Sequence, residues 1–369
     1  MRIIALWAIL LTSTVPAFAG RFEISLLTCS PGAELYSTYG HSALLVDDRL
    51  TGQKTVYNYG TFDFHTPHFA LKFIRGNLLY MLNPERYRDF LYEYQSQGRQ
   101  VIRQRLLITD DEAAHIVRFL HDNLRPENRY YRYDFFFDNC STRIRDLLEK
   151  VLPLTYPREN GDQRFRQLLR PYLTDTPWYL FGTDLILGLP ADAPAGFRDE
   201  MFLPDYLSKN LAQARLNGQP LLAPAETILP LKIRQSPARV PWPLWVMGLV
   251  ALSSIAMFKT PARIRTVFDG LLFGAAVLAG GLFLFMWIGT AHTACHRNLN
   301  LLWANPLFAF LPIFAGGSRR QMWRLTAIYL TLLLVAWFVL PQHLPRAAWL
   351  FTLALAIRAW HHARIARAA

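Results

Sequence analysis

Cysteine is scarce, with only Cys29, Cys140 and Cys295 in a chain of 369 residues. Three are too few for a disulfide framework, and the odd number leaves at least one thiol without an intrachain partner. Acidic residues are short as well: 27 Asp and Glu face 39 Lys and Arg, a net charge of +12. The sequence has no internal repeat, which excludes solenoids and propellers. Charged residues make up only 18% of the chain, and the apolar 52% is concentrated at the two ends, which sets the class.

Residues 1–19, MRIIALWAILLTSTVPAFA, place Arg2 before an apolar stretch that ends in Ala17 and Ala19. This is the pattern of a cleaved export signal, so the chain from Gly20 onward is expected outside the cytoplasm. Residues 241–369 read as an all-α membrane domain with five spans, roughly 242–258, 270–289, 299–315, 325–340 and 347–360. Lys259, Arg263 and Arg265 follow the first span, Arg319, Arg320 and Arg324 the third, and Arg364 and Arg367 the fifth. Positive charge marks cytoplasmic loops, so the alternation predicts an exported N-terminal domain and a cytoplasmic C-terminus. The basic excess then suits anionic lipid heads, and export excludes nucleic acid as partner.

Between the ends, residues 20–155 read as a catalytic core and 156–240 as a Pro-rich, weakly periodic extension and linker. HSALLVDDRLTGQKTVYNYGTFDF (41–64) predicts a β-hairpin turning at Gly52, with His41 at its entrance. Thr109 and Glu112 form a capping box ahead of a helix that ends before Pro126. RYYRYDFFF (129–137) looks strand-like, with a short helical or irregular stretch as the alternative, and Asp138 or Asn139 can cap the helix that follows. On that helix Cys140, Ile144, Leu147, Leu148 and Val151 share one stripe, and Arg143, Arg145 and Asp146 turn outward.

A thiol at a helix start faces unpaired amides and the positive end of the helix dipole, both of which favour thiolate. With His41 beside it, Cys140 would have a base for attack and an acid for the leaving group. Asn58 or Asp63, on the second hairpin strand, could fix the imidazole. Spacing leaves two other readings open: Cys140 as a core side chain, and a Cys29–Cys140 disulfide. In TAHTACHRNLN (290–300), His292, Cys295 and His296 have a spacing open to a metal, but only three ligands lie close together and no carboxylate is near. No cofactor is expected. His292, Asn298 and Asn300 are expected instead to touch a lipid head or the substrate's polar linkage, with capping as the alternative.

The segments LLTCSPGAELYSTYGHSALLV, VYNYGTFDF, NRYYRYDFFFDNCSTRIRDLL and LNLLWANPL resemble, in this order, the Lnb-type lipoprotein intramolecular transacylases. His before Asn-Cys is also similar to permuted papain-like folds, such as lecithin:retinol acyltransferase-like enzymes and NlpC/P60 relatives. The resemblance implies an α+β permuted papain-like domain, with Cys140 as nucleophile, His41 as base, a polar group such as Asn58 on the strand, and Tyr36 and Tyr39 shaping an acyl pocket. It also implies an acyltransferase of the bacterial inner membrane. An acyl chain would move from the diacylglyceryl group of a lipoprotein, through a thioester, to the lipoprotein's own N-terminal amine. Diacylated lipoproteins and membrane lipid are then the partners. A phospholipid hydrolase or acyltransferase with the same pair, and a non-catalytic membrane assembly protein, are the rival readings.

Overall fold

The structure, a computed structural model, describes residues 20–161, 163–232, 240–313 and 316–365. The expected export signal and residues 233–239 of the linker lie outside this range. The N-terminal domain runs β1 (Phe22–Cys29), β2 (His41–Asp48), β3 (Gln53–Thr61), α1 (Phe69–Ile74), β4 (Leu79–Arg86), α2 (Tyr87–Ser96), β5 (Val101–Arg105), α3 (Asp110–Asn123), α4 (Pro126–Arg129), β6 (Tyr130–Arg132) and α5 (Cys140–Val151).

Successive strand side chains point to opposite faces, and this alternation gives the sheet two cores. Ile24, Leu26, Leu44, Val46, Tyr57 and Tyr59 join one core with α3 and α5, while Leu27, Cys29, Ala43, Leu45 and Val56 join the other with Phe90 and Tyr94 of α2. The strands form one antiparallel sheet in the order Glu226–Leu229, β5, β1, β2, β3, β4, β6. The β2–β3 hairpin and the capping box at Thr109 are as expected.

The aromatic run is mostly not a strand. Only Tyr130–Arg132 pairs with β4, and Asp134 then bridges Asp138 with backbone hydrogen bonds of 3.0 Å each way. The Asp134 carboxylate accepts the Phe136 and Phe137 amides at 2.9 and 3.0 Å, which turns the chain back on itself just ahead of α5. Arg145 is also not outward: it is 4% exposed and donates to Asp146 and to the Arg198 carbonyl.

Residues 156–240 are more than a wrapping extension. They contain α6 (Phe165–Leu173), α7 (Pro177–Ile186) and α8 (Pro204–Leu211), of which α8 packs Leu207 and Leu211 into the first core. Glu226–Leu229 is itself an edge strand of the main sheet. Arg166 of α6 is 2% exposed and holds Asp184, Asp192 and the Leu187 carbonyl, a buried network that fixes α6 to the end of α7.

The C-terminal region contains α9 (Trp242–Ala256), α10 (Ala262–Ile288), α11 (Gly316–Ala336) and α12 (Arg346–Ile365). Among the described residues, three helical stretches are long and apolar enough to cross a membrane: Trp242–Lys259, Ala262–Ile288 and Gly317–Val339. Of the expected span 299–315, the described residues 299–313 are not an α-helix. They form 3₁₀ segments, Leu299–Leu302 and Pro306–Ile313, separated at Trp303, Ala304 and Asn305, the second opening on Pro306 and carrying Pro312. This stretch runs back along α10, with Trp303 against Phe283 and Phe308 against Phe273. Gly280 permits the approach, because a β-carbon there would sit 2.0 Å from the Ala304 carbonyl oxygen. The expected fifth span lies within α12, where fully buried Arg358 is paired with Asp269 of α10, and His362 holds the same carboxylate at 2.8 Å.

Candidate functional site

Asn139 caps α5. Its side-chain oxygen accepts the Ser141 and Thr142 amides at 2.8 and 3.0 Å, and the Thr142 hydroxyl accepts the Asn139 amide at 2.7 Å. Its Nδ2 donates to the carbonyls of Phe135 and Phe202 at 2.8 and 2.9 Å, which pins the helix start to the 202 segment. Asp138 is therefore not the cap; it pairs with Arg143, whose guanidinium lies 4.0 Å from the centre of the Tyr131 ring. Cys140 is the first residue of the helix and only partly buried.

The sheet comes to the thiol through a bulge in β3 between Asn58 and Thr61. Gly60 there has φ +87, and a β-carbon on it would stand 3.4 Å from Cys140 Cβ and 4.0 Å from the Tyr131 hydroxyl. That backbone region favours glycine, so the bulge both bends the strand and makes room for the helix start. The Tyr131 side chain is buried, and its hydroxyl, beside the Gly60 backbone, makes no hydrogen bond of standard geometry.

His41, at the start of β2, hydrogen-bonds Asn58 Oδ1 through Nε2 at 3.0 Å, and Asn58 Nδ2 donates to Glu85 Oε1 at 2.5 Å. Because the amide nitrogen is engaged by Glu85, the amide oxygen is what faces His41. Nε2 must then carry the proton, leaving Nδ1 as the nitrogen for the thiol. Burial is the largest influence on both members and opposes ionisation in each, yet each partner's charge and hydrogen bond overcome it. Cys140 is held below the usual thiol range and His41 above the usual imidazole range, with smaller help from the Ser42 amide and Ser141 for the thiol and from Asn58 for the imidazole. Each shift favours the thiolate–imidazolium form relative to an isolated thiol and imidazole.

A measurable consequence is the pH dependence of alkylation, which follows the thiolate. Iodoacetamide should modify Cys140 with a midpoint below the ordinary thiol value of about 8.5. In His41→Ala the opposing burial is left alone, and the midpoint should move above that value. An unchanged midpoint would break the pair.

The other residues separate. Asp63 is exposed and accepts the His65 amide at 2.8 Å in a turn, so Asn58 and not Asp63 meets His41. Cys29 and Cys140 are both free, which removes the disulfide. Cys29 is fully buried against α2, and burial pushes its thiol up. Tyr36 is 69% exposed on a turn, and Tyr39 packs on Phe135 and Tyr172 in a neighbouring aromatic cluster.

His292 lies with Nε2 3.1 Å from the Ile74 carbonyl, and His296 with Nε2 3.3 Å from that of Thr290. Cys295 is buried, its thiol pushed up to about 12 by that burial. The expectation that Asn298 and Asn300 meet a lipid head is corrected by their burial. Asn298 donates to the carbonyls of Leu185 and Ile186 and accepts from Gln342, while Asn300 donates to Leu185 and accepts from Trp303. Both staple α7 to the membrane region. Glu85 is the site residue that sequence reading missed.

The chain matches the family model of the Lnb N-terminal periplasmic domain over residues 18–170 and that of the Lnb transmembrane domain over residues 233–368. No curated protein and no solved structure matches it. Two Lnb domain models, one on the sheet domain with its Cys140–His41 pair and one on the apolar helices behind it, make this chain a member of the Lnb family, a membrane protein with a periplasmic N-terminal domain.

Proposed function

We propose that the protein is a thiol acyltransferase of lipoprotein maturation, which moves an acyl chain from a lipoprotein's diacylglyceryl group to its N-terminal cysteine amine. The observation that carries this is the Cys140–His41–Asn58–Glu85 chain at a helix start, in a domain fixed to membrane helices. The Cys140 thiolate attacks the ester carbonyl. His41 gives its proton to the departing glyceryl oxygen, leaving the acyl group as a thioester. The substrate's α-amino group then loses a proton to His41 and attacks the thioester, forming the amide and restoring the thiol. The product is an N-acylated, S-monoacylglyceryl lipoprotein.

The papain-like reading rests on the same pattern, a Cys helix start against a sheet with His and Asn on adjacent strands. For the membrane, a 3₁₀ segment rises about 2 Å per residue against about 1.5 Å for an α-helix, so the two 3₁₀ segments within 299–313 reach about 24 Å and the three residues joining them bring the stretch to a crossing of about 30 Å. With α12, that reading gives five crossings and places the Arg319–Arg324 cluster on the cytoplasmic side of the inner membrane.

Tyr131 is the side chain we assign to the oxyanion. Its buried hydroxyl, which shares the Gly60 bulge with Cys140 and has no side-chain acceptor there, can donate once negative charge forms on the attacked carbonyl. Tyr131→Phe should lower the transfer rate by about 10²–10³-fold, with Cys140 alkylation unchanged. Loss of alkylation instead would mean that the residue only supports the fold.

The direct test expresses the protein in cells whose lipoproteins are only diacylated and reads the N-termini by mass spectrometry. The N-acylated lyso form is expected. Unchanged termini sink the proposal, and accumulation of lysophospholipid without it would favour a phospholipid hydrolase.

A further inference from the structure

Between β3 and β4 the chain leaves the sheet as FHTPHFALKFIRGNLL, residues 64–79, which contains α1. Here the domain exposes what a soluble surface hides: Phe64 is 68% exposed, Leu71 51%, Phe73 43%, Ile74 50% and Leu79 49%. A contiguous apolar patch of this kind marks a binding surface. Two observations say what covers it. The first is continuity. The Ala291 amide donates to the Arg75 carbonyl at 2.8 Å, and His292 reaches the Ile74 carbonyl at 3.1 Å, so α1 is fastened just beyond the end of α10. That end is itself apolar and open, with Ile288 73% exposed and Trp287 37%. The second is charge: residues 64–79 carry Lys72 and Arg75 and no acid, which complements anionic headgroups.

We infer that residues 64–79 lie in the outer leaflet of the membrane, with the apolar side chains of α1 at the boundary between headgroups and acyl chains. The side of this segment away from lipid leads toward the nucleophile. Phe69 lies 5.8 Å from Phe62, Phe62 lies 5.1 Å from Tyr80, and Tyr80 stacks at 4.5 Å on Tyr133, which packs on the same core as Cys140. A narrow cleft lined by Phe73, Gly76, Leu78, Tyr80, Tyr133 and His292 opens along this route. The segment therefore serves as the ramp by which an acyl chain leaves the leaflet for the thiol; this second part rests on the acyl-transfer reading, whereas the insertion does not.

The test uses the full chain in vesicles of phosphatidylcholine and phosphatidylglycerol. Leu71→Cys in a Cys140→Ser background takes a nitroxide label at that position, because Cys29 and Cys295 are buried. Leu50→Cys, on the hairpin turn at the far end of β2, is the control. The Leu71 label should collide more with oxygen than with a polar nickel chelate, and the Leu50 label the reverse. Preference for the nickel chelate at both positions overturns the insertion. For the ramp, Leu71→Glu combined with Ile74→Glu should cut lipoprotein conversion several-fold while iodoacetamide still modifies Cys140 at the wild-type rate; unchanged conversion overturns it. If the wild type converts no lipoprotein, the functional proposal fails and the nitroxide result still decides the insertion.

Discussion

Cys140→Ala should abolish formation of the N-acylated lipoprotein, a loss of about 10⁴-fold or more, since removing a nucleophile removes the covalent route as a whole. The alternative for this position, a small side chain filling the core, predicts the opposite. Alanine is nearly as small, so a packing role would cost little beyond the lost contacts of one sulfur. The surroundings favour the large effect. Cys140 is only partly buried, and its thiol is drawn below the usual range by His41 against the pull of burial. Cys29 provides an internal comparison: fully buried and with its thiol pushed up, it should tolerate Cys29→Ala with transfer retained. Mass spectrometry of lipoprotein N-termini, with membrane levels of each variant checked by immunoblot, separates the outcomes. Wild-type conversion by Cys140→Ala would end the thioester mechanism.

Arg166→Ala should destabilise the domain by about 3–5 kcal/mol, the range for breaking a buried ion pair from one side. The cost arises from what stays behind. Asp184 and Asp192 are 4% and 5% exposed, and both lose their guanidinium, as do the Leu187 and Gly188 carbonyls. Asp184 keeps Arg170, which is partly exposed, whereas the Asp192 carboxylate is left to desolvation. The measurement is thermal unfolding of the purified chain in nanodiscs, compared with Arg170→Ala. Arg170 is 40% exposed, so that change should have a far smaller effect. Equal, small shifts for the two variants would show that the network carries little stability.

The site was legible where chemistry and local structure coincide. Cys140 follows a capping residue, His41 opens a strand in a clear hairpin, and Asn58 lies at a polar position among β-branched and aromatic neighbours. Glu85 was not legible because LNPER contains Pro84, which argues against a strand, and its link to Asn58 depends on the β3–β4 register. The aromatic run was misleading for a similar reason: its strand propensity yields to the Asp134 carboxylate, which captures two following amides. Asn298 and Asn300 looked available because sequence shows a loop but not what packs on it. The departure of the expected third span from an α-helix had its signal in Pro306 and Pro312, which a hydropathy window does not weigh.

Asp134, the carboxylate that closes the turn ahead of Cys140, also accepts a hydrogen bond from the Thr293 hydroxyl beyond the end of α10. The turn before Cys140 is thereby tied to the end of α10 by a hydrogen bond instead of a flexible tether. On the proposed reading, with Cys140 as nucleophile and α10 across the bilayer, the thiol would work at one depth. It would meet carbonyls in the interfacial layer between hydrocarbon and water and miss both the chain interior below and dissolved esters above. Selectivity among bonds would then be partly a matter of altitude, set before any pocket recognises a substrate.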